Sequence, residues 1–203
     1  MKPNGTRWAA WALLVVLAAF SRLLPHPPNF TPIGAMALFT GAHMGLRPAA
    51  FAVPLLAMLV SDLLIGLHML MPVVYGSFAL ITVLGWAVLR TRRSPWRLGG
   101  AALLASTLFY LITNFGVWAL GSWYPKTLEG LLACYVAAIP FFGNTIAGDL
   151  FFVALLFGGW AWLERRVPAL QASPLHAVSL IPNRDQEPIV SKAALIDEDK
   201  SAS

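Results

Sequence analysis

Hydrophobic and polar positions come in blocks along this chain. Apolar runs fill residues 8–24, 33–44, 49–66, 70–89, 98–120 and 143–163, separated by short polar or proline-rich stretches. Most approach the roughly 20 residues that cross a bilayer core as a helix, and 33–44 is the short one. The first run follows Lys2 and Arg7, and its Ala18-Ala19 pair loosely suits a signal-peptide cleavage site. Its length, and the membrane segment that follows almost at once, favour a retained helix. Four prolines (Pro25, Pro27, Pro28, Pro32) then stand within eight residues, which forbids a regular helix and predicts a stiff, extended loop. Ala37, Gly41 and Gly45 share a four-residue spacing, a face that lets another helix approach closely. Residues 128–142 are apolar but interrupted by Glu129, Gly130 and Pro140, which reads as a separate helix at the membrane surface ahead of the last span. Residues 167–203 are polar, end in Asp197-Glu198-Asp199-Lys200, and hold too little apolar area to fold alone.

The pattern predicts an all-α membrane protein. Its domain over 1–166 is a six-transmembrane-helix bundle with an extra interfacial helix before the last span, followed by a disordered cytoplasmic tail over 167–203.

Composition strengthens this reading. The 203 residues are 58% hydrophobic and 11% charged, with a mean hydropathy of +0.70, whereas a soluble domain is roughly a quarter charged. A soluble globular enzyme is excluded. The single cysteine, Cys134, excludes an intramolecular disulfide and any cysteine-rich metal site. Charge is uneven: residues 1–166 carry a net +7 and residues 167–203 a net −2. The basic residues sit in short clusters between apolar runs, a pattern that sets membrane topology rather than a nucleic-acid face. With six spans and the amino end inside, the cytoplasmic flanks hold nine basic residues (Lys2, Arg7, Arg47, Arg90, Arg92, Arg93, Arg97, Arg165, Arg166) and the outside two (Arg22, Lys126). That bias predicts a multi-pass protein of the bacterial inner membrane with both termini inside. Lipid is its expected surrounding partner, and no nucleic acid is expected.

Charges within hydrocarbon cost about 2.5–3.5 kcal/mol each at a helix centre, so those present need a purpose. Asp62 and Asp149 both fall in the outer halves of their spans. Asn114 lies at a similar depth, and Asn144 and Thr145 stand at the outer mouth of the last span. Ser106, Tyr110, Asn114 and Trp118 are spaced by four and form one helical stripe that should face the bundle interior. Arg22, at the outer end of the first run, is a candidate counter-ion for either acid or for an anionic ligand. The simplest shape is an outward pocket floored by apolar packing and lidded by the proline-rich loop and by 121–142. The candidate substrate-binding residues are Arg22, His26, Asp62, Asn114, Trp118, Asn144 and Asp149, with His26 in the lid. No H-E-x-x-H, G-x-S-x-G, Walker or G-x-G-x-x-G element is present, so no catalytic residues, metal site or cofactor are expected. Ile146-Ala147-Gly148-Asp149 resembles the GxGD element of intramembrane aspartyl proteases, but Ile146 replaces the first glycine and Ser61 stands before Asp62 where a tyrosine is expected.

Four segments carry a more specific resemblance: Pro25-His26-Pro27-Pro28-Asn29-Phe30-Thr31-Pro32-Ile33, Ser61-Asp62-Leu63-Leu64-Ile65-Gly66, Thr113-Asn114-Phe115-Gly116-Val117-Trp118 and Cys134-Tyr135-Val136-Ala137-Ala138-Ile139-Pro140-Phe141-Phe142. Over about residues 8–163 the chain resembles an uncharacterised family of six-span bacterial membrane proteins. More distantly, the order of spans and turns is similar to the S components of energy-coupling-factor vitamin transporters. That resemblance implies six helices, both termini inside and an outward vitamin pocket. It also implies an energising transporter subunit as a partner, although the A-x-x-x-A docking pattern of S components is missing from 8–24. Stand-alone cobalamin-uptake relatives make a corrinoid one conceivable ligand. The expected function is therefore binding and uptake of a small vitamin-like molecule. The alternative is a non-transporting scaffold that binds a partner membrane protein through its small-residue faces, Ala37/Gly41/Gly45 and Ala101/Ala105.

Overall fold

The computed structural model describes residues 5–167, apart from the side chains of residues 6–8. The tail expected beyond 167 lies outside the described residues. Six helices follow in order: α1 Gly5–Ser21, α2 Ile33–Met44, α3 Pro48–Ile65, α4 Met71–Leu89, α5 Pro95–Leu120 and α6 Leu128–Arg166. Among the described residues there is no strand.

Proline sets several of these boundaries. α3, α4 and α5 each carry one at the first or second helical position, where the missing N–H costs nothing and φ is already helical. The residues before Pro48 and Pro95, Arg47 and Ser94, are extended, as the proline ring requires of its predecessor. Pro95 thus starts α5 three residues ahead of the apolar run. Inside α3, Pro54 cannot donate to the carbonyl of Ala50. The Thr40 hydroxyl of α2 donates to that oxygen instead, at 2.7 Å, so a buried acceptor is satisfied by a neighbouring helix.

Among the described residues four helices, α3 to α6, are long and apolar enough to cross a membrane. This is a membrane protein by its construction. Its exposed surface is a belt of large aliphatic side chains, among them Leu13, Leu56, Leu63, Leu104, Leu132 and Leu155. Such a surface suits lipid and not water.

Two expectations change. First, 33–44 is no full span: α2 has 12 residues, about 18 Å of rise against a core of about 30 Å. Every residue from Ile33 to Ala42 is buried, so α2 is a central helix wrapped by the others. Second, the separate interfacial helix is not there. Residues 128–142 and 143–163 belong to one helix of 39 residues, about 58 Å long. Glu129 and Gly130, which look like breaks in the sequence, form its first turn. Thr127 caps that turn by accepting from the Gly130 N–H at 3.2 Å, and Glu129 lies where the helix dipole favours an acid. Pro140 is accommodated within the helix.

Small residues close the centre. A Cβ on Gly41 would collide with the α4 backbone at Thr82 and Trp86, and one on Gly85 with the α2 backbone at Leu38. The two helices therefore meet backbone to backbone. At the end where α2 finishes, Trp11 stacks on Trp160 at 5.3 Å and Phe39 lies edge-on to Phe157 at 5.0 Å. Arg93, in the α4–α5 loop, donates to the Ala42 carbonyl at 3.0 Å and approaches His43. Burial draws the Arg93 guanidinium pKa below its ordinary value, with the Glu164 carboxylate opposing. This end is closed and aromatic.

Candidate functional site

The opposite end carries loop 22–32 and holds both acids. Asp62, 1% exposed, receives Arg22 at 2.7 Å and the Tyr75 hydroxyl at 3.0 Å. The same guanidinium nitrogen also donates to the Ser61 hydroxyl. One carboxylate thus ties the end of α1 to α3 and α4. The expected counter-ion for Asp62 is present, and both carboxylate oxygens are bonded within the protein.

Asp149, 3% exposed, is held differently. The Ser106 hydroxyl donates to it at 2.6 Å, and the carboxylate lies against the first turn of α2 at Gly34 and Ala35. Its carboxylate stands at the start of α2, whose own N-cap residue, Pro32, offers no side-chain cap. A side chain from α6 therefore supplies the negative group that a helix N-terminus favours. Gly34 is required here, because a Cβ would occupy the place of the carboxylate.

The proline-rich loop fills the space above the short α2. Phe30 packs on Phe151 and Phe152, with centroids at 6.0 and 5.5 Å, and Gly148 leaves room for the Phe30 backbone. Asn29 takes a left-handed φ of 66°, which asparagine tolerates better than most residues. Two adjoining cavities lie beneath it. The smaller, about 30 Å³, is lined by Asn29, Thr31, Gly34, Phe78, Ile81, Phe109, Thr145 and Asp149. The larger, about 200 Å³, has walls from Asn29, Val74, Phe109, Tyr110, Thr113, Asn114, Phe141 and Phe142 among others. No charged side chain lines the larger one. Its walls come from Asn29 of the loop, Val74 of α4, one face of α5 and Ala138, Phe141, Phe142 and Thr145 of α6.

The α5 stripe faces α6 and the turn before it. Ser106 bonds Asp149, and the Tyr110 hydroxyl donates to the Tyr135 carbonyl at 2.6 Å. Trp118 donates to the Pro125 carbonyl at 3.0 Å. The Asn114 amide donates back to the Tyr110 carbonyl at 2.8 Å. Cys134 is a buried packing residue whose thiol lies 3.5 Å from the Asn114 carbonyl.

The seven expected site residues are thus not gathered into one pocket. Asn114 lines the larger cavity and Asp149 the smaller. Arg22 and Asp62 pair together and line neither. His26 rests on the Leu24 carbonyl at 2.6 Å, outside both linings. Trp118 braces the turn, with the Lys126 ammonium 5.6 Å from its ring. Asn144 is half-buried and borders neither cavity. Sequence reasoning missed Asn29 and Thr31, and it set Thr145 at the outer mouth of the last span without counting it among the binding residues. The signal for Asn29 was its place after Pro27-Pro28, where a turn calls for a residue that accepts φ > 0.

No curated protein and no solved structure matches the chain. The model of a family of unknown function, DUF6580, matches residues 2–170, and the chain belongs to that family.

Proposed function

We propose that this protein binds a small, uncharged, ring-containing compound in the larger cavity and takes part in its uptake across the bacterial inner membrane. The observation that carries the reading is the lining of that cavity. Phe109, Tyr110, Phe141 and Phe142 give flat apolar walls, and Tyr110 and Phe142 stack at 4.5 Å. Asn29, Thr113 and Asn114 add neutral hydrogen-bonding groups. Ligand sites generally combine such apolar walls with a few polar groups that fix orientation. The volume, about 200 Å³, is below the roughly 300–1,000 Å³ of drug-sized ligand sites. That favours a cargo of one or two rings and leaves no room for a corrinoid.

The orientation is part of the proposal. Arg47, Arg90, Arg92, Arg93, Arg97, Arg165 and Arg166 flank the closed aromatic end, which belongs inside by the positive-inside rule. The cavity end then faces outward. Six crossings follow if α1 and the central α2 are counted with the four long helices. The likeness to S components rests on the order of spans and turns, and an energising subunit would have to dock on the lipid-facing belt. Both faces assigned to the scaffold alternative are used within the bundle: Gly41 lies against α4, and Ala101 and Ala105 are buried. Nothing in the packing favours that alternative.

The test is thermal unfolding of purified protein against a panel of neutral vitamins and heteroaromatic rings. A binding compound raises Tm as RT ln(1 + [L]/Kd). Asn114→Ala should weaken that compound by about 2–10-fold, the worth of one neutral hydrogen bond. A compound that binds wild type and Asn114→Ala equally would remove this cavity as its site.

A further inference from the structure

The smaller cavity has a composition of its own. Its polar lining residues are Asp149, Thr31, Thr145 and Asn29, each of which carries a side-chain oxygen. Thr145 donates its proton to the Phe141 carbonyl at 2.9 Å, so its lone pairs remain available as acceptors. Asp149 is bonded by a hydroxyl and lies beside the start of α2, where Asp62 has a guanidinium. The start of α2 supplies only about half a positive charge, so a carboxylate at Asp149 has no full counter-charge among these partners. A carboxylate in that setting marks an ion or substrate path unless a cation compensates it.

We infer that the smaller cavity is a sodium site, formed by Asp149 with the oxygens of Thr145, Thr31 and Asn29. Oxygen-only donors select a hard cation over a transition metal. A single carboxylate, half offset by the α2 terminus, suits one positive charge, whereas calcium sites use several carboxylates and more ligands. The volume of about 30 Å³ holds a particle the size of one water, and hence a bare ion without its hydration shell. Sodium would tie α6 to loop 22–32 through Asn29 and Thr31, next to the wall of the larger cavity, which shares Asn29, Phe109 and Thr145. Any energetic linkage to a bound compound rests on the function proposed above. The ion site itself does not.

The experiment is thermal unfolding of the purified full chain, with no organic ligand, in NaCl, KCl or N-methyl-D-glucamine chloride at one ionic strength and pH. The expected result is a saturable rise in Tm with sodium alone, about 5–10 °C at a hundredfold excess over half-saturation. Asp149→Asn and Thr145→Val should each abolish the sodium response. Equal Tm in the three salts overturns the inference, as does a full sodium response in either variant. A Tm that follows pH but not sodium also overturns it, by making a proton the occupant. If Asp149→Asn does not fold, Thr145→Val decides alone. Because no organic ligand is present, failure here leaves the aromatic-cavity reading intact, and failure of the compound screen leaves this one intact.

Discussion

Asp62 and Asp149 are both buried near the end of the bundle that carries loop 22–32, on α3 and α6. Around Asp62 the protein has assembled a complete set of partners: a guanidinium at 2.7 Å, a phenol at 3.0 Å and a serine beside them. Around Asp149 the partners are a serine hydroxyl, a helix end and a cavity. The first arrangement is closed. Its charge is balanced inside the chain, and its members join α1, α3 and α4. The second is open, because neutral donors orient the carboxylate without balancing it and the space beside it has oxygen walls. Depth in the membrane does not separate a structural acid from a functional one; the partners do.

The largest effect should come from breaking the closed arrangement. Arg22→Ala leaves Asp62 buried and unpaired, a loss of about 3–5 kcal/mol. Arg22→Met combined with Asp62→Leu should recover most of it, since apolar replacements of both members of a buried pair are often neutral or stabilising. Thermal unfolding of the two single variants and the double variant forms a cycle. Simple additivity would mean that the pair is not coupled, and the contrast with Asp149 would fall.

Tyr75→Phe is the next step down. It removes one hydrogen bond to a charged acceptor while keeping the ring, worth about 1.5–3 kcal/mol. Unfolding measured alongside Arg22→Ala should show the tyrosine effect shrinking in that background, because both bonds serve the same carboxylate. An undiminished effect would place Tyr75 outside the network.

Much of this was legible in one dimension. Arg22 ends an apolar run and Asp62 stands near the end of another, and a charge in hydrocarbon must find a partner. The i, i+4 stripe on α5 was legible as one inward face, because helical spacing decides which residues share a side, and in the structure that face lies against α6 and the turn before it. What failed was whatever depends on a neighbour. Glu129, Gly130 and Pro140 weaken a helix locally, yet the Thr127 cap and the packing on α5 carry α6 through all three. Asp149 looked like Asp62 because nothing in the sequence shows that α2 begins beside it. Asn29 and Thr31 lie in a loop, and their part in the cavities depends on where Phe30 anchors that loop against α6.

Ser106→Ala probes the open arrangement. The hydroxyl's bond to Asp149 is lost while the carboxylate stays beside the start of α2, so the cost should be about 0.5–1.5 kcal/mol. A loss as large as that of Arg22→Ala would show that Asp149 depends on Ser106 as heavily as Asp62 depends on its arginine, and the two regions would no longer differ in kind.

The smallest effect, and the sharpest contrast, belongs to the isosteric pair Asp62→Asn and Asp149→Asn, compared in sodium-free buffer. In the first, the amide leaves the Arg22 guanidinium without its counter-charge, and stability should drop by a clear margin. In the second, the amide oxygen can still accept from Ser106, and a poorly balanced charge is removed from a buried place. Loss and relief oppose each other, so Asp149→Asn should unfold within about 1 kcal/mol of wild type. The comparison is read from two melting curves. If the two variants were destabilised equally, the carboxylate on α6 would be as firmly balanced within the protein as the one on α3, through a partner other than Ser106 and the start of α2.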